Sequence, residues 1–597
     1  MRQGNLLRTC TRASLLSIFY RPQVQWSPLK LYSTMTAPSI PATSDAQNAM
    51  NLNGKRPNTQ KNNGKARRLK KRKAKPIQEG SAEDVLLTDI RALLASHHIS
   101  EPEEDVLVEE AKPSSLPEPG SEIEVDAVEL SSTGDALAMQ RGSSRIYVVP
   151  FSVPGDTVKV KVYRHLEDED YSVADFISVT KPSPLRDDSR IRCQYFGRCS
   201  GCQFQMLDYD EQLKIKKRIV EKAYKNFSRL PPELVPPVQD TIGSPLQYGY
   251  RTKLTPHFEG PPGFNRRGPK KTLEKMPAVG FTPKGMKRVL DIEDCPIGTD
   301  AVRKGLKRER ERMAVEYGKY ERGATILLRE NTIRVPKTSP DQEVSRPDGV
   351  PDDAVRVETD SYVDFKTCVT DNNATTTEYV DDFIFTNPAG AFFQNNNSIL
   401  PSFTDYIRRH VLPPTNSGEP IRYLIDAYSG SGLFTITLSS LFPGGSAGID
   451  IADKSIAFAR RNATLNGLAE AQCRFLAADA PQLFRGAADA YDPNRTVVVI
   501  DPPRKGCDDD FLHQLLRFAP RRIVYVSCNV HTQARDVGTL VRGEVGPGVA
   551  TEADLGSAQL QKDRKKVRYA IESLRGFDFF PQTGHVEGVA VLNRIDT

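Results

Sequence analysis

At 597 residues the chain exceeds what one hydrophobic core can organise, and a norm of about 150 residues per domain points to three or four units. Lys and Arg total 82 against 76 Asp and Glu, a formal charge of +6, so any hold on a polyanion must come from local patches. A hydrophobic content of 38% excludes a collagen-like or wholly disordered chain, no run nears the ~18 apolar residues of a membrane span, and nine cysteines are too few for a disulfide scaffold.

Arg2, Arg8, Arg12, Arg21 and Lys30 precede the first acid, Asp45. An Arg- and Ser-rich, acid-poor start has the character of a mitochondrial presequence, placed here at residues 1–34. The run Lys55–Lys75 holds 11 basic residues and no acid, and it reads as a nuclear-import signal or a nucleic-acid arm inside a linker spanning 35–115. The two signals together predict mitochondrion, nucleus and cytoplasm as destinations. No membrane partner is expected, and a monomer is.

From 116 to 182 five short segments alternate apolar and polar residues, separated by turns at Ser132-Thr133-Gly134 and Val153-Pro154-Gly155-Asp156. They predict a small OB-like β-barrel, a fold that often carries RNA. A helix follows from Asp208, with Leu213, Val220, Ala223 and Phe227 on its apolar side and Lys214, Lys217, Arg218, Lys222 and Lys225 in water. Strand-like pieces up to residue 400 suggest a mixed α+β central domain, with surface loops at 337–355 and 366–380. Residues 401–597 alternate apolar runs and helical segments, the pattern of a doubly wound parallel α/β sheet.

The cofactor site is sought at the carboxyl ends of those strands, where open α/β sheets bind ligands. YLIDAYSGSGLF places Gly430 and Gly432 between a strand and a helix, so backbone N–H groups can approach a ligand. Asp450 ends the next strand and can accept ribose hydroxyls, Asp479 ends the third, and Asp501-Pro502-Pro503 ends the fourth. Dinucleotide and S-adenosylmethionine sites share the first features; Asp-Pro-Pro favours a methyltransferase acting on a base. A fifth strand ends in Ser527-Cys528-Asn529, which brings a thiol to the same rim, and Glu587 opens the last apolar strand. Carbon 5 of uracil is a poor nucleophile until a thiolate adds to carbon 6; after methyl transfer a base must remove the carbon-5 proton. Cys528 is the candidate nucleophile and Glu587 the candidate base.

The motifs GAFFQNN, DAYSGSG, DPPRKG, SCN and HVEGVAVL, in this order, resemble the RNA uracil-5-methyltransferase family over roughly residues 115–597. The resemblance implies a class I methyltransferase domain, a barrel of the TRAM type, and S-adenosylmethionine held by Gln394, Tyr428, Asp450 and Asp501. It implies tRNA as the partner, with the T-loop uridine as target, and a covalent Cys528–uracil intermediate. The same chemistry on ribosomal RNA, or an RNA-folding factor with vestigial catalysis, are the competing readings. Two departures stand out: Asp450 lies where the family often has Glu, and 541–568 is longer than usual.

Cys193, Cys199 and Cys202 are spaced C-x5-C-x2-C, and Cys295 precedes a proline. Four such thiols suit an iron–sulfur or zinc site. The resemblance favours a [4Fe–4S] cluster, with zinc as the alternative.

Overall fold

A computed structural model of the protein describes residues 77–99, 116–166, 169–263, 271–414, 419–478, 490–545 and 567–595. The presequence, the basic run and most of the 541–568 insertion lie outside the described residues.

The barrel forms as its alternation predicts. Strands β1 (Glu122–Leu130), β2 (Ala136–Met139), β3 (Ile146–Val149), β4 (Thr157–Leu166) and β5 (Tyr171–Lys181) close in the order β1-β2-β3-β5-β4. Val158, Val160 and Val162 of β4 point inward with Val125 and Val149, while Ala127, Ala136, Ala138 and Ala174 leave room for the Tyr147 ring. Alternate residues of a strand face opposite sides, so the lysines at 159 and 161 stay outside.

The helix α1 (Tyr209–Phe227) starts where its cap predicts, the Asp208 side chain accepting from the Asp210 N–H at 3.0 Å. Its buried side differs from expectation. Leu213 is only half-buried, whereas Gln212, Ile215, Ile219, Tyr224 and even Lys216 are inside. The central region carries two small antiparallel sheets and a hairpin, Thr375–Val380 with Phe383–Pro388. That hairpin replaces part of the loop expected at 366–380, the rest of whose start is strand Tyr362–Val369. Its inward positions are Thr376, Glu378 and Val380, and Glu378 is ion-paired to the equally buried Arg329. Inward residues that are polar hide the alternation from a reader of hydropathy.

The catalytic sheet has eight strands: β6 (Gln239–Ile242), β7 (Tyr423–Ala427), β8 (Gly445–Asp450), β9 (Cys473–Ala477), β10 (Thr496–Ile500), β11 (Arg522–Ser527), β12 (Arg568–Phe577) and β13 (Glu587–Ile595). Their order is β9-β8-β7-β10-β11-β13-β12-β6, with β7 to β11 parallel and β13 antiparallel to both neighbours. Both faces are covered. Val498, Ile500, Ile523 and Tyr525 enter one core with α1, and Val497, Val499, Val524 and Val526 enter the other. The doubly wound α/β fold is therefore present, but its limits exceed 401–597. Strand β6 comes from the central region, and residue 400 is already the first of a helix, Leu400–His410, that packs Phe403 and Ile407 into the second core.

Helix α1 lies against a helix in the catalytic region, Val530–Arg542, so closely that a Cβ on Gly538 would stand 1.9 Å from the Ser228 carbonyl oxygen. Gly538→Val must push the two helices apart, with an expected loss of about 1–3 kcal/mol, read as a lower urea midpoint.

Candidate active site

The glycine turn after β7 is set by backbone geometry. Gly430 and Gly432 have φ of +55° and +92°, and Tyr428 between strand and turn is also left-handed at +65°. The two glycines serve different ends. A Cβ on Gly432 would sit 2.8 Å from the Phe475 ring, whereas one on Gly430 would meet nothing within 4 Å, so Gly430 presents bare backbone to open space. Asp450, at the end of β8, clamps the turn: one carboxylate oxygen accepts from Gly430 N–H at 3.0 Å and the other from Ala452 N–H at 2.8 Å. Each oxygen keeps a lone pair for a further donor.

Beneath the turn lies Asp426, a residue that sequence reasoning misses. It is fully buried and accepts from the Thr435 N–H at 2.9 Å and hydroxyl at 2.5 Å, while its second oxygen has no protein partner. Burial pushes its pKa up to about 7. The one signal available is an acid inside the apolar run YLIDA. Tyr428 turns its ring against Phe511, centroids 5.2 Å apart, and burial, then the neighbouring Cys507, hold its phenol well above the ordinary range. Gln394 is buried, on a segment held by the two residues that follow it: Thr252 N–H donates to the Asn395 carbonyl at 2.8 Å, and the Asn396 amide donates to Ser244 Oγ at 3.0 Å and the Phe579 carbonyl at 3.3 Å. Asp479 lies outside the described residues.

The chemical end of the site follows from strand register. Ser527 of β11 is opposite Gly588 of β13, so the next residues outward, Cys528 and Glu587, leave the sheet side by side. Asp501 follows β10 on the adjoining rim, its N–H donating to the Ala427 carbonyl at 3.3 Å. These groups feel one another. Burial first, then Glu587 and Asp501, push the Cys528 thiol up to about 12, while Arg504 draws it down by charge and a hydrogen bond. Burial and then Asp501 hold Glu587 well above the usual carboxylate range, again opposed by Arg504, and Glu587 Oε1 has no protein partner. Burial and Asp426 push Asp501 up to about 7. Arg504 stands in DPPRKG, directly after Pro503.

Asn529 fixes the turn behind the nucleophile. Its side-chain oxygen accepts from His531 N–H at 3.2 Å at the start of the following helix, and its amide donates to the Arg504 carbonyl at 2.9 Å. The same amide donates to the Gly80 carbonyl at 3.1 Å, which joins the N-terminal segment to the SCN turn.

The four cysteines gather in the central region. All are half-buried, and burial raises each thiol, Cys199 to about 11 and Cys295 to about 12, with further upward pressure from neighbouring thiols on Cys199, Cys202 and Cys295 and from Asp294 on Cys193. Among the described residues, however, no group of three or more His, Cys, Asp or Glu is disposed to hold a metal ion. This arrangement supports neither the expected [4Fe–4S] cluster nor its zinc alternative.

A solved structure, that of Pyrococcus abyssi tRNA (uracil-54, C5)-methyltransferase in complex with S-adenosyl-L-homocysteine, matches over 79% of this chain and 100% of its own, with a TM-score of 0.50 and 24% identity. The fold is thus that of a methyltransferase. A family model described as tRNA (Uracil-5-)-methyltransferase matches residues 366–545. The tRNA (uracil(54)-C(5))-methyltransferase of Schizosaccharomyces pombe is 41% identical over 89% of this chain and 87% of its own, and that of Saccharomyces cerevisiae 38% over 95% and 90%. This chain belongs to the tRNA (uracil-5-)-methyltransferase family.

The thiol environment has a direct readout. A free cysteine reaches its full alkylation rate above its pKa of about 8.5. Cys528, its thiol pushed up to about 12, should instead react slowly with iodoacetamide at neutral pH and keep accelerating without levelling well into the alkaline range. Arg504→Ala removes the charge that favours the thiolate and should slow the reaction further; peptide mass spectrometry of the Cys528 peptide measures both.

Proposed function

We propose that the protein methylates carbon 5 of a uridine in tRNA, at the T-loop position for which the two fungal relatives are named. The observation that carries this reading is the pairing of Cys528 and Glu587 at one sheet end, on the rim that also bears Gly430, Asp450 and Asp501.

The residues present fit S-adenosylmethionine. The open backbone at Gly430 and the spare lone pairs of Asp450 allow close approach and offer acceptors where a nucleoside would lie. Gln394, Tyr428 and Asp501 complete the expected set. When bound, this cofactor supplies an electrophilic methyl group on a positively charged sulfur.

Cys528, deprotonated with help from the Arg504 charge, adds its sulfur to carbon 6 of the uracil. The electron pair released from the 5,6 double bond makes carbon 5 nucleophilic toward the methyl group that S-adenosylmethionine would supply, whose bond to the sulfonium sulfur would break as the carbon–carbon bond forms. Glu587 then takes the carbon-5 proton onto its carboxylate, the double bond returns, and the carbon–sulfur bond breaks to restore the thiolate. A carboxylate held in a buried, acid-lined place is a stronger base than one in water, which suits a weakly acidic carbon–hydrogen bond.

To reach a buried thiol the uridine must leave its stack, as for other enzymes that act on bases. The barrel, of the TRAM type by resemblance, is assigned to RNA contact. The four thiols are assigned to a [4Fe–4S] cluster. What supports the assignment is the clustering of four thiols raised by burial, a cost that would be offset if bound metal displaced their protons to solvent. Protein purified without oxygen should be brown with about four irons per chain; colourless, iron-free and fully active protein would remove the cluster.

Purified protein, S-adenosylmethionine and unmodified tRNA should yield 5-methyluridine at one T-loop position and none in ribosomal RNA fragments; the reverse pattern would move the activity to ribosomal RNA. Cys528→Ala should lower the rate at least about a thousandfold with RNA affinity nearly unchanged. Glu587→Gln should transfer methyl and then stall, leaving RNA joined to protein on a denaturing gel.

A further inference from the structure

One buried cation is unused by the chemistry above. Lys216 of α1 is 0% exposed, and its ammonium points away from its own helix into the loop that links β12 to β13. An ammonium has three N–H donors, and here all three are placed. Nζ forms an ion pair with Asp578, donates to the Phe580 carbonyl at 3.0 Å and donates to the His585 carbonyl at 2.9 Å. Asp578 is equally buried and also accepts from the Tyr209 hydroxyl at 2.9 Å and the Phe580 N–H at 3.1 Å.

The loop so held runs from 578 to 586. Its first residue follows Phe577, which pairs with Glu587 across the β12–β13 ladder, and its last precedes Glu587 itself. The His585 carbonyl, fixed by Lys216, is two residues from the base. Midway, Gln582 takes a left-handed φ of +70°, and its N–H donates to Gln212 Oε1 at 3.0 Å, one turn of α1 before Lys216. Lys216 thus joins the start and the end of the loop, and the path from its ammonium to the Glu587 backbone is short.

We propose that Lys216 is a positioning residue for Glu587, holding the 578–586 loop so that the carboxylate meets the carbon-5 proton. This rests on the reading of Glu587 as the base. A buried ion pair is an expensive way to fix a loop that apolar contacts could hold, since two charges must be desolvated. What it provides is direction: a tetrahedral donor with three assigned acceptors sets where two carbonyls and a carboxylate stand. The base acts only after methyl transfer. A loosened loop should therefore spare the early bond-forming steps and slow the late ones.

The test is a single-turnover assay with tRNA carrying tritium at carbon 5 and labelled methyl donor, which separates methyl incorporation from proton release. Two variants guard against misfolding. Lys216→Gln keeps a donor, and Lys216→Met with Asp578→Asn removes both buried charges together. In each, methyl incorporation should stay within about threefold of the unmodified protein, while tritium release slows at least about tenfold and the RNA–protein adduct persists on a denaturing gel. Incorporation and release falling in step, in a variant with an unchanged circular dichroism spectrum, would give Lys216 a purely structural role and overturn the proposal; so would release unchanged in both variants. Glu587→Gln, run beside them, tells the two readings apart: if it forms no lasting adduct, the base assignment itself fails, whatever the Lys216 variants do.

Discussion

The antiparallel pairing of β13 with β11 is the constraint on which the chemistry depends. In a purely parallel sheet the carboxyl ends of neighbouring strands lie together, and the start of a strand lies at the opposite end. Because β13 runs against β11, its first residue, Glu587, arrives where β11 delivers Cys528. A one-residue slip would move every side chain of β13 to the other face of the sheet. The apolar residues of β13 oppose such a slip: Val589 and Val591 enter one core while Ala590 and Leu592 enter the other. Placement of the Glu587 carboxylate is thus tied to hydrophobic packing along the whole strand.

That placement has an electrostatic consequence. Asp426 and Glu587 are buried and Asp501 is half-buried; Asp426 acts on Asp501, Asp501 acts on Glu587, and Asp501 and Glu587 disfavour a thiolate at Cys528. Such a site is poor at ionising its nucleophile unless positive charge is supplied. Arg504 acts on both Cys528 and Glu587, and it is carried by the Asp501-Pro502-Pro503 turn, whose Arg504 carbonyl is in turn held by Asn529. The motifs DPPRKG and SCN are therefore one piece of structure. A methyl donor that brings a positive sulfur to the same rim would add to the same effect.

Much of this is legible in the sequence. The barrel is, because its inward positions are uniformly apolar and its turns carry glycine or proline. The catalytic rim is, because buried parallel strands are apolar runs whose ends are easy to see, and those ends carry Asp450, Asp501 and Cys528. Other features are hidden for physical reasons. Lys216 sits in a stretch with several basic residues, and nothing local says which one turns inward; its partner Asp578 is far away in the chain. The hairpin at 375–388 has Thr376 and Glu378 on its inner side, so its pattern resembles a polar loop. Strand β6 is four residues long and joins the sheet only through tertiary pairing with β12. For the cysteines, spacing foretells proximity but not whether the thiols hold a metal.

The hidden features share a location. Strand β6 and the inward turn of Lys216 on helix α1 both belong to the central region, and both act on the part of the catalytic sheet that presents Glu587. The same region reaches the barrel. Gln203, next to Cys202, donates through its amide to the Thr133 carbonyl at 2.9 Å and accepts at its oxygen from the Gly584 N–H at 3.0 Å, while its own backbone N–H donates to the Gln582 carbonyl at 2.7 Å. One side chain thus touches a barrel turn and the loop of the base, one residue away from a cysteine of the thiol group. A displacement of the barrel turn or of the Cys202 segment cannot leave the 578–586 loop untouched, because buried hydrogen-bonding groups must keep partners. The four thiols need no contact with the reacting atoms to matter for catalysis: holding Gln203 in place is enough to tie their segment to the position of the base.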